Sequence, residues 1–474
     1  MRGSGLNDSP RPDRVPSENV EAADGLPQPR RTKAVITVGL GLMMAVLDGA
    51  IANLALPTIA HDFAISPAAS IWIVNAYQLA LVMTLLPFAA LGDQFGFRRV
   101  YLIGMTVFTV SSLGCALSHT LTELTVARVI QGFGAAGMMS VNSALVRYAY
   151  PRAMLGRGFS INMMIGSSSS ALGPTVAAAI LSVGGWQWLF AINVPIGLLV
   201  LAMGRKTLPH TPLSGGRFDL GSAALNAVTF GLLINGIEAF GHGESRVVAL
   251  LQLAAAVVTG GLLARRQMSR PAPMLPVDLL ARPIFALSVV ASVCSFAAQA
   301  AAVVVLPFYF QITLGLSQGR TGLLMTPWPL SVALVAQLAG SLSDRFSAAV
   351  LGGLGQAMMC AGLISLALLP DEPSALNIIW RLCLCGVGFG LFNAPNNKTM
   401  VGSVPKSRSS GASGMQATSR LFGQSLGTAL VAVLFALMTT GGTPAALSLA
   451  ACFSFMSGVA SVLRPRRRQA AAAR

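Results

Sequence analysis

About fourteen apolar runs, each long enough to cross a ~30 Å hydrocarbon core at 1.5 Å per residue, follow one another along this chain. Their centres fall near residues 46, 80, 108, 133, 170, 196, 229, 255, 298, 331, 359, 388, 428 and 452. No single globular core can hide them: 54% of the 474 residues are hydrophobic and 10% are charged, against roughly a quarter charged in soluble domains. The mean hydropathy of +0.68 points the same way. The expected class is an all-α polytopic membrane protein.

The formal net charge of +16 raises the question of a nucleic-acid partner. The basic residues lie in short segments between apolar runs, not on one continuous face. Arg30, Arg31 and Lys33 are followed by Arg98 and Arg99; Arg147, Arg152 and Arg157; Arg205, Lys206 and Arg217; and Arg265, Arg266, Arg270 and Arg282. Further on come Arg345; Lys398, Lys406 and Arg408; and Arg464, Arg466, Arg467 and Arg468. The loops between these are nearly bare, Arg246 and Arg320 excepted. Every second loop is basic, which predicts an even number of spans with both termini in the cytoplasm, and no nucleic-acid surface. Residues 1–33 are rich in Pro, Gly, Asp and Glu and read as a disordered cytoplasmic tail without a signal peptide. All six cysteines (115, 294, 360, 383, 385 and 452) fall within apolar runs, so neither a disulfide framework nor a metal site is expected.

The chain repeats itself. "LGDQFGFRR" (Leu91 to Arg99) closes the second run and "GSLSDRF" (Gly340 to Phe346) the tenth, pairing Asp93 with Asp344. Each is followed by an arginine inside an apolar run, Arg128 and then Arg381. The offset of about 250 residues exceeds what six helices of ~30–35 residues each require, leaving room for two inserted helices around 218–240 and 246–264. The predicted organisation is a six-helix bundle over 34–205, the inserted pair within 206–266, a second six-helix bundle over 267–463, and a basic cytoplasmic tail from 464 to 474.

One acid lies deep in a span. Asp48 follows "AVITVGLGLMMAV" and precedes "GAIANLALP", where a charge costs about 2.5–3.5 kcal/mol on insertion scales. Gly41, Ala45, Ala52 and Ala55 share its helical face, so that face is expected to look into the bundle rather than at lipid. Arg128, in "ARVIQGFGAAGMMS", is the natural partner. A nearby cation and desolvation act oppositely on a carboxylate, so a motion separating the two would change proton affinity. The competing reading is a structural ion pair. Gly132, Gly134 and Gly137 in the same run fit G-x-G-x-x-G, but no preceding strand or downstream acid supports a dinucleotide site, and helix packing is the expected role.

Other features are ordinary when taken singly. Gly92 and Gly96 allow a tight turn, Asp93 can meet a helix N-terminus, and Arg98 and Arg99 face the cytoplasm. They read as either a latch between halves or a topological anchor. Gly173-Pro174 falls inside the fifth run, where proline favours a kink. Trp186 and Trp188 are expected at the membrane interface. The histidines at 61, 119, 210 and 242 fall in loops without metal-ligand spacing, which leaves nothing for a membrane enzyme or sensor. Glu123 and Glu238 are the remaining candidate membrane-facing acids.

Together these residues resemble the major facilitator superfamily, in its fourteen-helix drug:proton antiporter branch. The first-helix signature L-D-x-T-I-V-N-x-A-L-P reads here Leu47-Asp48-Gly-Ala-Ile-Ala-Asn53-Leu-Ala-Leu-Pro57, with Ala50 and Ala52 departing. The loop signature G-x-L-A-D-R-x-G-R-R appears with Asp93, Gly96, Arg98 and Arg99, Ala89 and Gln94 replacing its first glycine and first arginine. Arg128, Gln131, Gly132 and Gly134 match the arginine motif. Gly173-Pro174 matches the antiporter motif, with Ala177 and Ala178 in place of its trailing glycines. The "W-R-W-I-F-x-I-N-x-P-I-G" pattern becomes Trp186-Gln-Trp188-Leu-Phe190-Ala-Ile-Asn193-Val-Pro195-Ile-Gly197.

The resemblance implies a major facilitator fold: two pseudo-symmetric six-helix bundles plus two central helices, alternating access around a midplane cavity. It implies a proton-coupled exporter of hydrophobic or amphipathic small molecules, working as a monomer in a plasma membrane, the bacterial inner membrane, with the proton gradient in place of a cofactor. Asp48 and Arg128 would couple the proton. Asp93, Gly96, Arg98, Arg99, Asp344 and Arg345 would gate the cycle, and Gly173 and Pro174 would shape the fifth helix. Glu238, Asn53 and Gln131 are candidate substrate or secondary-acid positions. With so few membrane acids, dications are expected to be poor substrates. A dedicated exporter of one metabolite is the alternative on the same fold, and an uptake symporter fits the glycine-proline motif less well.

Overall fold

A computed structural model describes residues 25–464 apart from 152–153, 210, 212–217, 240–245, 269–276, 371, 405–408 and 439–440, and apart from the side chains of 156, 159, 160, 163, 167, 171, 238, 337, 340, 341, 344, 409–411 and 413. Both expected tails therefore lie largely outside the described residues. The described chain is all helical, with no strand among the described residues. The first half comprises α1 (Arg30–Asp62), α2 (Pro67–Phe95), α3 (Phe97–Ala116), α4 (Leu121–Ala149), α5 (Leu155–Val183), and the short α6 (Gln187–Ala191), which continues into α7 (Asn193–Thr207). Next come α8 (Leu220–Ala239) and α9 (Arg246–Met268). The second half holds α10 (Pro283–Phe308), α11 (Gln318–Met325), α12 (Pro327–Arg345), α13 (Ala348–Ala367), α14 (Ala375–Gly402), α15 (Ser409–Leu437) and α16 (Gly442–Val462).

Taking α6 with α7 and α11 with α12, these helices form fourteen rods. Twelve are long and apolar enough to cross a membrane, and α5 makes a thirteenth, bent by 45° between Ser170 and Leu172. Pro174 explains the bend: it has no N–H to give the carbonyl four residues back. The remaining rod is broken at Thr326-Pro327, and its longer piece ends in the polar Ser-Leu-Ser-Asp-Arg.

Local chemistry starts the helices in matched pairs. Ser66 caps α2 and Ser317 caps α11, while Thr120 caps α4 and Ser374 caps α14, each through its side-chain oxygen. The packing repeats in the same register. Against α3–α4, α2–α4, α3–α7 and α1–α5 in the first half stand α13–α14, α12–α14, α13–α16 and α10–α15 in the second. The interfaces between the halves are equally symmetric, with α2 against α15 and α11 against α5.

One end of the bundle gathers the arginines. Arg30 Nε donates to the Thr207 carbonyl at 3.3 Å, joining the start of α1 to the end of α7. Arg282 donates to the Ser403 carbonyl at 3.0 Å, joining the start of α10 to the end of α14. We call this the basic end and its opposite the far end. At the far end one apolar cluster runs across both halves, from Leu54 and Ile59 of α1 to Phe308, Phe310 and Met325.

The central pair is an attachment. On α9 the buried residues Ala249, Ala256 and Leu263 recur every seven positions, and the helix packs along α8, where Thr229 donates to Thr259 Oγ1 at 3.1 Å. Asn226 of α8 donates to the Met83 carbonyl of α2 at 2.8 Å, and Phe230 meets Phe422 of α15 at 5.6 Å. Thus α8 touches both halves while most of α9 faces outward.

Candidate functional site

Asp48 lies halfway along α1 and is fully buried, as is Arg128 on α4. Arg128 donates to Asp48 Oδ2 at 2.5 Å. Gln131, one turn further along α4, donates to Oδ1 at 3.0 Å, and Asn193, the first residue of α7, donates to the same oxygen at 3.0 Å. The carboxylate thus holds one charged and two neutral donors. That is the condition under which a buried ion pair offsets its desolvation.

The second layer holds the first in place. Arg128 donates through Nε to the Ile73 carbonyl of α2 at 3.1 Å and again to Gln131 Oε1 at 2.7 Å. Its guanidinium lies 4.2 Å from the Tyr77 ring centre and 5.5 Å from that of Phe190, a cation–π arrangement. One of its nitrogens, Nη2, is sealed without a hydrogen-bond partner. Gln131 also donates to Ser112 Oγ at 2.8 Å and accepts a long 3.6 Å contact from Cys115 Sγ. Six elements of the first half converge here, and among the described residues no hydrogen bond to Asp48 or Arg128 comes from the second.

The second half repeats the arginine without the acid. At the offset pairing Asp93 with Asp344, Asp48 falls on Gln299. Arg381 donates instead to the carbonyls of Ser365 at 3.0 Å and Asn377 at 2.6 Å, and stacks on Trp380. Among the described residues, the one ion pair buried within the spans, Asp48–Arg128, lies in the first half.

Gly173 and Pro174 lie on the seam at the far end. A Cβ on Gly173 would stand 2.6 Å from Ala50 Cβ on α1, so the α1–α5 crossing admits only glycine there. Across the seam, a Cβ on Gly322 of α11 would stand 2.6 Å from the Pro174 carbonyl oxygen and 2.5 Å from Ala178 Cβ. Hydrogen bonds cross between the halves at this end. Thr175 and Thr326 share one at 2.8 Å, Gln311 donates to the Leu54 carbonyl at 3.0 Å, and Gln318 donates to Thr58 Oγ1 at 2.5 Å.

The loop residues bind within their own half. Gly96 has φ +92°, a conformation that favours glycine, and it turns the chain from α2 into α3. Arg98 donates to the Arg205 carbonyl, and the Phe97 N–H that opens α3 goes to Thr211 Oγ1 at 3.1 Å. Asp93, Arg99 and Arg345 are exposed, and the side chain of Asp344 lies outside the described residues. Asn53 turns away from Asp48: its amide donates to the Gly49 carbonyl at 3.0 Å, and its buried Oδ1 has no partner. The side chain of Glu238 is outside the described residues.

Three expectations need correction. The Trp186 ring is enclosed by protein and is not exposed to an interface. It is 1% exposed, its Nε1 donates to Asp62 at 3.1 Å, and its ring stands T-shaped to Phe63 at 5.5 Å, so the α5–α6 turn folds over the end of α1. Glu123 is occupied as a cap: its carboxylate accepts from His119 N–H at 2.8 Å while Thr120 accepts from Glu123 N–H. His61 lies in the last turn of α1, which runs on past Pro57. In the sequence Asn193 stands within a motif that gives it no role of its own, and Tyr77 and Ser112 belong to none. Polarity at a buried helical position was the available signal. No group of three or more His, Cys, Asp or Glu side chains able to hold a metal exists among the described residues.

The profile of the Major Facilitator Superfamily matches residues 38–428. The chain is 54% identical over 451 residues to the uncharacterized transporter YebQ of Escherichia coli, covering 94% of this chain and 99% of that one. It is 31% identical to the riboflavin transporter RibZ of Clostridioides difficile, covering 85% and 88%, and 33% identical to the multidrug resistance protein Stp of Mycobacterium tuberculosis, covering 85% and 75%. The crystal structure of a peptide transporter, POT, superposes with a TM-score of 0.69 at 15% identity, covering 91% of this chain and 94% of that one, which establishes the fold. The chain belongs to the Major Facilitator Superfamily and is a multi-pass membrane transporter, not an enzyme.

Proposed function

We propose that this transporter is a proton-coupled exporter of amphipathic small molecules, with Asp48 as the proton carrier. The observation that carries the reading is the sealed Asp48–Arg128 pair with its Gln131 and Asn193 donors. A structural brace in lipid needs no titratable group, whereas a carrier must exchange between an ionised and a neutral form at a cost the site can bear. Protonation of Asp48 removes the anion from Arg128 and leaves the guanidinium to Gln131, the Ile73 carbonyl and the Tyr77 ring. That rearrangement is felt on α1, α4 and α7 together.

The α1 rod transmits it. Asp48 and Ala50 are two residues apart, and Ala50 packs on Gly173, whose neighbour Pro174 faces Gly322 in the other half. A shift of α1 on protonation therefore reaches the far-end seam through direct contacts. In this reading the basic end faces the cytoplasm of a bacterial inner membrane, the protein works as a monomer, and the gradient of protons replaces any cofactor. Similarity to Stp supports a drug-like substrate range; similarity to RibZ supports the second reading, an exporter dedicated to one metabolite.

The deciding experiment is an efflux and susceptibility panel in a transport-deficient host, with and without a protonophore. Broad, protonophore-sensitive export is expected. Export of a single compound favours the dedicated reading, and export indifferent to the protonophore removes proton coupling.

A further inference from the structure

A second arginine within an apolar helix has no acid to answer it among the described residues, and unlike Arg381 it has no carbonyl either. Arg420 lies within the apolar stretch Gly414–Leu437 of α15. Leu86 of α2 packs beside Gly414, so Arg420 lies about two turns further in along α15, toward the level of Tyr77 on α2. The Tyr77 phenol is in its electrostatic reach. Its guanidinium donates no hydrogen bond and pairs with no carboxylate among the described residues, yet the side chain is only partly buried. Asp48 and Arg128 cancel each other, so the charge on Arg420 is uncompensated among the described residues.

Its neighbours define where it points. Leu421 joins the apolar cluster that contains Tyr77 and Leu85 of α2, and Gly423 and Gly427 lie against α10. At 100° per residue, Arg420 falls between those two contact faces, on the side of α15 that lies between α2 of one half and α10 of the other. Gln416 and Gln424, one turn to either side and also partly buried, share its stripe. A polar stripe centred on an unpaired guanidinium thus lies on the divide between the halves.

We infer that Arg420, flanked by Gln416 and Gln424, is the recognition point for a single anionic group, such as a carboxylate, on an otherwise apolar substrate. The inference rests on the transporter reading above and names its substrate class. A guanidinium offers a fork of donors that matches a carboxylate, and the interaction strengthens away from bulk water. An unpaired arginine inside a membrane is costly, and an anionic substrate would offset that cost while it is bound. A cation would be repelled from the same place.

The test uses the full-length protein in lipid nanodiscs and three probes of one skeleton: 1-pyrenebutyrate, its methyl ester, and 1-pyrenebutylamine. Saturable binding above that of empty nanodiscs is read at a pH where the acid is ionised. The wild type is expected to prefer the acid over the ester by about tenfold, the range of a charge-assisted hydrogen bond. Arg420→Gln is expected to bring the acid down to the ester's affinity while leaving the ester unchanged, and Arg420→Lys to fall between. A wild type that fails to prefer the acid, whether it binds all three probes or none, overturns the assignment without recourse to any variant. So does a folded Arg420→Gln protein with wild-type affinity for the acid. Transport in proteoliposomes separates this from the export reading. Arg420-dependent binding without uphill movement of the acid sinks export and leaves the site. Uphill movement of the ester by wild type and Arg420→Gln alike, with no preference for the acid, does the reverse.

Discussion

Arg128 reaches Asp48 at 2.5 Å in a site where neither side chain has any exposed surface, and all their hydrogen-bond partners among the described residues come from the same half of the molecule. In the proposed cycle, the proton-carrying chemistry is thus kept apart from the seam between the halves. Substrate and proton need not compete for one carboxylate. They can be coupled through the position of α1, which carries Asp48 and also lines the seam with Leu54 and Thr58.

Replacing the acid tests the pair directly. Asp48→Asn leaves Arg128 charged and buried, and turns an amide N–H toward donors that need an acceptor. Breaking a buried pair by removing one partner costs about 3–5 kcal/mol. Thermal unfolding in detergent should register a clear loss of stability, and proteoliposomes should show no substrate-driven proton movement. Full proton coupling in a folded Asp48→Asn protein would remove Asp48 from the mechanism.

Asn193 and Gln131 should be coupled to one another. Both donate to Oδ1 of Asp48, from α7 and α4. Each replacement by alanine leaves acceptor capacity unfilled at a cost of about 1–3 kcal/mol. The double replacement should differ from the sum by at least ~0.5 kcal/mol, as residues in one network do. Denaturant unfolding of the four proteins of the cycle measures this, and strict additivity would mean that the two amides act independently.

How much of this was legible beforehand follows from what each feature depends on. The rods are legible because apolar length and alternating basic loops are local properties, and the bend in α5 because Pro174 lacks an N–H. Asp48 and Arg128 are legible as partners because an isolated charge in a span demands one. Asn193 is not, since an amide at the start of a helix has many uses and only the folding of α7 against α1 gives it this one. Trp186 misled for a related reason. An aromatic at a span boundary fits the interface, and only the docking of the α5–α6 turn on Asp62 shows otherwise. Arg420 escaped notice because it follows a run of serines and glycines that looks like a loop, whereas the helix begins at Ser409.

The clasp on the central pair gives a pH signature. Arg266 donates to Asp219 at 2.8 Å, and Ser222 also donates to it, so these bonds hold the Asp219 carboxyl well below the usual carboxylate range. A depressed folded-state value means the clasp contributes fully above the ordinary carboxylate pKa of about 3.9 and is lost only as pH falls below it. The stability difference between wild type and Asp219→Asn should therefore be flat from neutral pH down to about pH 5 and shrink under more acidic conditions. Melting curves across that range check it. A difference that vanishes near neutrality would show that Arg266 is not the partner in solution.

The far-end seam should be a moving part. Gln318 donates to Thr58 across the halves at 2.5 Å, and Gly322 fits against Pro174 and Ala178 with no room for a side chain. If alternating access opens this end, the contacts must separate in every cycle. A cysteine pair at Thr58 and Gln318, in a background lacking the six native cysteines, should cross-link readily and stop transport when oxidised, with activity restored by reductant. Gly322→Ala acts from the opposite direction. Its Cβ would stand 2.6 Å from the Pro174 carbonyl oxygen, a backbone atom that cannot move aside cheaply, so the closed seam is destabilised and the open one is not. Cysteine accessibility at position 58 should rise in Gly322→Ala while transport falls by about tenfold or more, as a bias of ~1.4 kcal/mol or greater requires. Unimpeded transport with the cross-link in place would mean that this end stays shut throughout the cycle, and the path from Asp48 through α1 to the seam would have to be abandoned.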